Sequence, residues 1–317
     1  MLWAIPVLII GSFLMFLALH MTTDPVAAAK HHNVTPEALA KFKHDLGLDQ
    51  SLLSQYWTFL SNFFRGNFGT SYTSQAPVWP ELRTALVNTI VLAFAAAAVY
   101  ITVGVILGII SAVRQYSWFD HATTGASFIG LSLPPFVFAL ICIVFVGTFY
   151  QKHFHSSTPL LPFVGGVYSP STEGFNLADR ARHLVLPVLV LSVQEIAIYS
   201  RYMRTGMLET LNSDYLRTAR AKGISEKRVI FRHAFRNALI PLTTFTAIDI
   251  GALAGGLIIT EYIFGYRGMG LYFLENYHNA DYPALLPWMM FVIVFVVVFN
   301  VLADLSYAWL DPRIRLE

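Results

Sequence analysis

Residues 214–241 read DYLRTARAKGISEKRVIFRHAFRNALIP, a short basic stretch between two long apolar runs. Gly223 divides the stretch into two short helical patterns. The first pattern ends at this glycine, which suits a helix C′ position, and Ser225 is placed to cap the second, with Glu226 in its first turn. Only Asp214 and Glu226 counter its seven cations. The stretch therefore predicts a basic helix–glycine–helix elbow that faces a protein partner. The cations are Arg217, Arg220, Lys222, Lys227, Arg228, Arg232 and Arg236.

The rest of the chain has the composition of a polytopic membrane protein. Of its 317 residues, 56% are hydrophobic and only 13% are charged, which is far from the composition of a soluble globular domain. The only cysteine, Cys142, lies inside an apolar run. The chain therefore has no intrachain disulfide and no cysteine-based metal site.

A membrane-spanning helix requires about 20 mostly apolar residues, and six segments meet that length. We therefore predict an all-α polytopic membrane protein with six transmembrane helices. The first run lacks a basic n-region and a clear cleavage site, so we interpret it as a retained helix and not as a signal peptide. The six segments are Leu2–Leu19, Ala85–Val113, Thr123–Phe149, Leu184–Tyr202, Leu239–Phe264 and Ala284–Leu310.

Lysine and arginine flank these spans unevenly, which predicts the orientation. Arg114 follows the second span, the basic elbow follows the fourth, and Arg313 and Arg315 follow the sixth. These parts belong on the cytoplasmic side, and both termini are then cytoplasmic. The connections expected outside are Met21–Arg83, Gln151–His183 and Gly265–Pro283.

The pattern divides the chain into three parts. Residues 1–20 form the first transmembrane helix, residues 21–83 a small extracytoplasmic helical segment, and residues 84–317 a core of five helices with the elbow at 212–238. In the second part, the stretch SLLSQYWTFLSNFFRG predicts a helix with an apolar face. Either this helix lies on the outer leaflet, or it belongs to a subdomain that helps to dock a partner.

Enzyme motifs are absent from the sequence. It contains no GxxxxGK[ST] phosphate loop, so we expect that the chain binds no ATP itself. It also lacks HExxH and GxSxG. His31, His32, His153 and His155 have no evident carboxylate or cysteine partner, so we expect no metal site. We also expect no nucleic-acid binding.

Four carboxylates lie within or at the ends of the apolar runs. An ionisable group at membrane depth costs several kcal/mol unless it faces a cavity or a partner. Asp304 and Glu261 lie near helix ends, close to an interface. Asp249 is about midway along the fifth span, and Glu195 is central in the fourth, with Tyr199 one turn away as a candidate partner. Asp249 and Glu195 are therefore candidates for a translocation pathway, and burial against a companion helix is the alternative for Asp249.

The elbow resembles the cytoplasmic signature of the permease subunits of ABC importers, the binding-protein-dependent transport family. In that signature, EAA is followed by three residues, a glycine and a second helix. Here Arg217-Thr218-Ala219 stands in the EAA position and Gly223 in the glycine position. The stretches YLRTARAKG and HAFRNALIP resemble the dipeptide and oligopeptide branch, in which arginine replaces the glutamate.

The resemblance covers nearly the whole chain. Asp24-Pro25-Val26 resembles the GDPV of that branch, with Thr23 in place of glycine. TEYIFGYRGMG at 260–270 is similar to its ExxFxxPGxG, with Arg267 in place of proline. The tail from Asp304 to Arg315 matches closely. Each match is weak alone, but their order and spacing together are specific.

Membership of this family would imply a transporter subunit with the type I ABC importer permease fold. It implies a second permease subunit, two cytosolic subunits that hold ATP and Mg, an extracytoplasmic solute-binding protein, and a bacterial or archaeal inner membrane whose lipid surrounds the chain. Peptide is the implied solute, while nickel-chelate and oligosaccharide permeases of the same family stay open. A lesser alternative is a membrane-bound enzyme or sensor whose basic loop binds anionic lipid, for which charge is needed but no fixed spacing.

In such a subunit, the elbow would dock into the cytosolic ATPase. An amphipathic helix places apolar anchors in a groove while its cations set the orientation. The apolar side chains available in the elbow are Leu216, Ile224, Val229 and Ile230, and Gly223 supplies the backbone turn. The residues expected to couple are Arg217, Thr218, Ala219, Arg220, Lys222, Gly223, Ile224, Val229 and Arg232.

Overall fold

The structure is a computed structural model that describes residues 4–22, 48–154, 161–162, 176–252 and 257–310. These ranges are mainly helical. π-helical turns at Val144–Phe149 and Val229–Ala234 join α5 to α6 and α9 to α10. The helices are α1 Ala4–Thr22, α2 Leu52–Phe64, α3 Val78–Val113, α4 Trp118–Ser132, α5 Pro135–Ile143, α6 Tyr150–Phe154, α7 Leu177–Leu211, α8 Asp214–Ala221, α9 Glu226–Arg228, α10 Phe235–Ala252, α11 Ile258–Phe264, α12 Met269–His278 and α13 Tyr282–Leu310.

Three of the described helices, α3, α7 and α13, are long and apolar enough to cross a membrane. They contain the second and fourth predicted segments and coincide with the sixth. The first segment corresponds to α1, whose apolar part, Pro6–Thr22, is shorter. The fifth segment is divided between α10 and α11, and residues 253–256 between them lie outside the described ranges. So do Asp24-Pro25-Val26, His31, His32 and residues 311–317 of the tail.

The third predicted span is broken into α4 and α5, which meet at 96°. Pro134 and Pro135 have no N–H to donate to a helical ladder, and a residue before proline is driven toward extended backbone. Leu133 is accordingly extended, with ψ 112°. Its carbonyl accepts a 2.9 Å hydrogen bond from Gln194 Nε2 of α7. The expectation of one uninterrupted helix over Thr123–Phe149 is therefore corrected.

The described helices form two compact units, and the first contains α1, α2, α12, the start of α3 and most of α13. α2 packs its buried face on α1: the Tyr56 hydroxyl lies 2.7 Å from Ser12 Oγ and donates to Ile9 O at 3.3 Å. The Tyr56 ring also meets the rings of Phe13 and Phe16 edge to face. α2 is thus part of the core of this unit.

A buried carboxylate fixes the start of α13 in the first unit. Asp281 is fully buried. It accepts hydrogen bonds from the Ser71 hydroxyl at 2.5 Å and from the backbone N–H groups of Tyr72 at 3.1 Å and Thr73 at 3.0 Å. Because the carboxylate is satisfied by this loop, it holds the loop against the residue that begins α13, Tyr282.

The second unit contains most of α3 together with α4 to α10, nearly all of α11 and the end of α13. Its core depends on a close approach of α3 to α7. A Cβ atom at Gly104 would lie 2.6 Å from the Cβ of Tyr199, and one at Gly108 would lie 2.6 Å from the Cβ of Met203. This GxxxG spacing lets the two helix backbones meet. The contact at Gly104 also fixes the position of Tyr199 along α3.

Candidate functional site

The basic elbow forms a helix, a left-handed turn and a second helix. At the end of α8, Gly223 N donates to Arg220 O at 2.9 Å and Ile224 N donates to Ala219 O at 3.3 Å, which is the Schellman arrangement. Gly223 has φ +74°, a conformation that glycine adopts without steric cost. The turn predicted at this glycine is therefore present.

The second helix of the elbow begins differently from the prediction. Ser225 occupies the N-cap position of α9, but its side chain makes no capping hydrogen bond. Its carbonyl accepts from the N–H groups of Arg228 and Val229 at 2.8 and 3.0 Å. Glu226 instead receives two hydrogen bonds from Arg220, of 3.1 and 2.9 Å, which lower the pKa of the Glu226 carboxyl. The pair is exposed, so it orients the two helices and adds little to stability.

One face of the elbow is buried in the second unit. Leu216 and Val229 are fully buried and Ala219 nearly so, in a core shared with residues of α7 and α10. Leu216 and Val229 were expected to anchor a partner, but they hold the elbow on its own helices instead. Ile224 and Ile230 are only partly buried against the same core.

The other face of the elbow is basic and carries two aromatic rings. Tyr215 is 45% exposed and Phe231 is 55% exposed. Asn237 Nδ2 donates a 2.6 Å hydrogen bond to the Tyr215 hydroxyl and so fixes that side chain. These aromatics were missed in the sequence, although each lies beside the apolar positions of its helix. The predicted coupling residues exposed with them are Arg217, Thr218, Arg220, Lys222, Gly223 and Arg232.

A second cluster joins three helices at one carboxylate. Asp249 Oδ2 on α10 accepts hydrogen bonds from the Tyr100 hydroxyl of α3 at 2.6 Å and from the Tyr199 hydroxyl of α7 at 3.1 Å. The two tyrosines are almost completely buried, and their ring centroids are 5.0 Å apart. Asp249 itself is partly buried. The partners that a carboxylate at this depth was expected to need are therefore two tyrosines of the same chain.

Glu195 lies one turn before Tyr199 on α7. Tyr199, its candidate partner by spacing, bonds Asp249 instead. The Oε2 atom of Glu195 is shielded from solvent and has no hydrogen-bond partner among the described residues. Of the two predicted pathway residues, Tyr199 therefore hydrogen-bonds Asp249 and not Glu195. Of the two other predicted carboxylates in this unit, Glu261 is fully buried, and the side chain of Asp304 lies outside the part of the chain that the structure describes.

A buried ion pair joins α4 to α7. Asp120 is 2% exposed, and Arg204 donates to its two oxygens through Nε at 2.7 Å and Nη2 at 2.8 Å. The Ser111 hydroxyl and the Tyr116 N–H also donate to Asp120. Neither charged residue was singled out in the sequence because both lie just beyond the predicted spans, where charges are ordinary.

Two family sequence models match this chain. The model described as "Binding-protein-dependent transport system inner membrane component" matches residues 104–316. The model of the N-terminal part of such membrane components matches residues 2–93. The chain belongs to the binding-protein-dependent transport family. As a member, this permease has the type I ABC importer permease fold, which confirms the fold predicted from the resemblance.

Named relatives resemble the permease over nearly its whole length. The oligopeptide transport system permease protein AppB of Bacillus subtilis (strain 168) is 36% identical, over 99% of this chain and 97% of its own. A putative peptide permease protein of Brucella suis biovar 1 is 38% identical, over 96% and 94%. The dipeptide transport system permease protein DppB of Escherichia coli (strain K12) is 33% identical, over 98% and 96%.

Family membership decides between the classes of function that the sequence left open. The permease is a multi-pass inner-membrane component of an ABC transport system and not an enzyme. The membrane-bound enzyme or sensor is therefore set aside. The elbow lies within residues 104–316, the part of the chain that the family model matches.

Proposed function

We propose that this permease forms half of the translocation pathway of an ATP-driven peptide importer and couples to cytosolic ATPase subunits through its elbow. Its relatives named above are permeases for oligopeptides, peptides and dipeptides. The observation that carries the coupling role is the two-sided elbow. Its apolar face is buried in its own core, while its seven cations, Tyr215 and Phe231 are exposed around the Gly223 turn.

The elbow is built to transmit a displacement to the pathway helices. Leu216 and Val229 share a core with Met203 and Met207 of α7, so a force on α8 is carried by close-packed side chains into α7. α7 also carries Tyr199, which bonds Asp249 on α10. Movement of the ATPase would therefore shift α7 relative to α10 where Tyr199 bonds Asp249.

The complete importer would contain further subunits, and this permease would have a fixed orientation in the membrane. A second permease would complete the pathway, two ATP-binding subunits would hold ATP and Mg, and an extracytoplasmic solute-binding protein would deliver peptide. We place the elbow and both termini in the cytoplasm, because short flanks rich in lysine and arginine stay on the cytoplasmic side of a membrane. The proposed parts are the first helix at 1–20, the extracytoplasmic segment at 21–83 and the permease core at 84–317.

Reconstitution provides the direct test of the proposed function. Vesicles that contain this permease, its companion, the ATPase subunits and the binding protein should accumulate labelled peptide when ATP is supplied on the ATPase side. The isolated permease should not be labelled by a photoreactive ATP analogue in a manner that ATP competes, because it has no phosphate loop. Uptake of a nickel chelate or an oligosaccharide in place of peptide would reassign the solute.

Asp249 is proposed to face the pathway in at least one transport state. Asp249→Cys, in a Cys142→Ala background, should react with a small hydrophilic thiol reagent, and the rate should differ between the nucleotide-free and ATP-bound complex. The reason is that a carboxylate near mid-membrane is stable only beside water or a partner. One of its two partners, Tyr199, lies on α7, the helix into which the elbow transmits force. The labelled fraction is read by mass spectrometry.

Ile248→Cys is the matched control for this labelling. Ile248 precedes Asp249 on α10 and is 52% exposed, so it faces away from the Tyr100 and Tyr199 hydroxyls. Its labelling should not follow the transport state. If Asp249→Cys reacts in no state of a correctly assembled complex, Asp249 is a buried structural group and does not line the pathway.

A further inference from the structure

A cavity of about 430 Å³ lies in the first unit between the start of α3 and the first two turns of α12. Its volume falls within the range of about 300–1,000 Å³ for sites that bind small molecules. The polar side chains that line it are Glu81 and Thr84 of α3 and Arg267, Tyr272 and Glu275 in and just before α12. The cavity therefore combines charges of both signs with two hydroxyl groups.

The positive and negative charges lie at opposite ends of this cavity. The Arg267 carbonyl accepts a 2.8 Å hydrogen bond from Asn88 Nδ2, which places it about two turns further along α3 than Glu81. On α12, Glu275 lies seven residues after Gly268, or about 10 Å at a rise of 1.5 Å per residue. Along either helix, the carboxylate end is therefore about 10 Å from the arginine end.

The charged side chains of this cavity are not neutralised by the described part of the chain. Arg267, Glu81 and Glu275 are exposed and form no ion pair with any described residue. Tyr272 is only 7% exposed, and its hydroxyl, which is not closed off from solvent, has no hydrogen-bond partner among the described residues. Because buried polar side chains are nearly always hydrogen-bonded, this hydroxyl indicates a ligand that accepts from it.

A short peptide with free termini carries the complementary groups. Its carboxylate suits Arg267, whose guanidinium binds two oxygens at once, and the N-terminal end of α12 favours the same negative charge. Its ammonium suits the two glutamates, which have no cation of their own among the described residues. An extended chain spans at most about 3.3–3.6 Å per residue, so three residues cover about 10 Å. A single small ion would satisfy only one end of the cavity.

We propose that this cavity receives a peptide of about three residues by its two charged termini before the peptide enters the pathway. The carboxylate binds Arg267, the ammonium binds Glu81 and Glu275, and the Tyr272 hydroxyl donates to a peptide carbonyl between them. This inference rests on the proposed peptide importer and adds a site that selects end groups, separate from Asp249. Residues 265–283 are expected outside the membrane, on the side from which peptide arrives.

Photocrosslinking without the solute-binding protein tests this site. The permease, its companion and the ATPase subunits are reconstituted in nanodiscs with alanyl-photoleucyl-alanine, a tripeptide whose central side chain carries a diazirine. After irradiation and digestion, mass spectrometry should find adducts concentrated on residues 80–85 and 267–275. Acetylation of the amino terminus or amidation of the carboxyl terminus should each lower the yield about fivefold, the upper range for a solvent-exposed ion pair.

Variants that remove a charge assign each end of the peptide. Arg267→Gln should lower the yield of the free tripeptide about fivefold and make the yield insensitive to amidation but not to acetylation. Replacing Glu81 and Glu275 together by glutamine should give the opposite pattern. Arg83→Gln is the matched control, because Arg83 is exposed on α3 in the same unit and does not line the cavity. Its yields should equal those of the unaltered protein.

The tyrosine is tested by removing only its hydroxyl. Tyr272→Phe should lower the yield about fivefold whichever terminus is capped, the effect of losing one neutral hydrogen bond. Tyr277→Phe alters a tyrosine of the same helix that is 42% exposed and does not line the cavity, so its yield should not change. Thermal melting of each purified complex shows that the variants are folded.

Uptake by the complete importer is measured with the same tripeptide, so failure of the site is distinguishable from failure of the proposed function. Equal yields from free, acetylated and amidated tripeptides, in an importer that still takes up peptide, would overturn the site alone. Weaker attachment of the binding protein to the Arg267→Gln complex, with the peptide yield unchanged, would make the cavity a docking surface and also overturn it. Uptake of a nickel chelate or an oligosaccharide in place of peptide would overturn the proposed function and this inference together.

Discussion

Gly223→Asp should strongly reduce ATP-driven uptake while the complex still assembles in the membrane. Gly223 has φ +74°, and no heavy atom lies within 4 Å of the position that a Cβ would take. The substitution therefore causes no clash, but it strains the turn by roughly 1–2 kcal/mol and adds a negative charge to a surface built from cations. Together these effects should lower coupled uptake by about tenfold or more. ATP hydrolysis should continue without transport, and both rates are measured in proteoliposomes.

Gly66 offers a matched control for backbone strain. It also has φ +74° with no heavy atom near its would-be Cβ, but it lies after α2 in the first unit. Gly66→Asp should leave uptake coupled to hydrolysis, and Gly223→Ala, which adds strain without charge, should give an intermediate loss. Normal uptake by the Gly223→Asp complex would show that the elbow does not couple ATP hydrolysis to transport.

Arg204→Ala should be strongly destabilising although Arg204 lies outside the elbow. Among the described residues, it leaves the buried Asp120 carboxylate with two donors, the Ser111 hydroxyl and the Tyr116 N–H. Breaking one partner of a buried ion pair costs about 3–5 kcal/mol. Because the Arg204 side chain is 28% exposed, we expect the lower end of that range. Thermal melting of the purified complex, followed by size exclusion, should show the loss as a lower melting temperature.

Two further variants test whether the pair itself is responsible. Arg201 lies one turn earlier on α7, with its guanidinium 5.5 Å from the Phe128 ring, and Arg201→Ala should cost only about 0.5–1 kcal/mol. Replacing both members of the pair, Asp120→Asn with Arg204→Met, should recover much of the stability, since no unpaired charge remains. If Arg204→Ala melts like the unaltered protein, the pair contributes nothing to stability.

The sequence by itself determined the features that depend on local chemistry. Long apolar runs identified α3, α7 and α13, because only a helix satisfies its own backbone in lipid. Gly223 identified the elbow turn, because a positive φ there favours glycine. The break before Pro135 also had a local signal, the two adjacent prolines, but the prediction of one span over Thr123–Phe149 missed it.

Only the tertiary structure decided which side chains meet. Asp120 and Arg204 are 84 residues apart in sequence, and Tyr100 and Asp249 are 149 apart, so helix packing alone brings them together. In the elbow, Leu216 and Phe231 are both apolar, and the sequence does not say which faces the chain's own core. That choice depends on α7 and α10, which cover one face of the elbow and leave the other exposed.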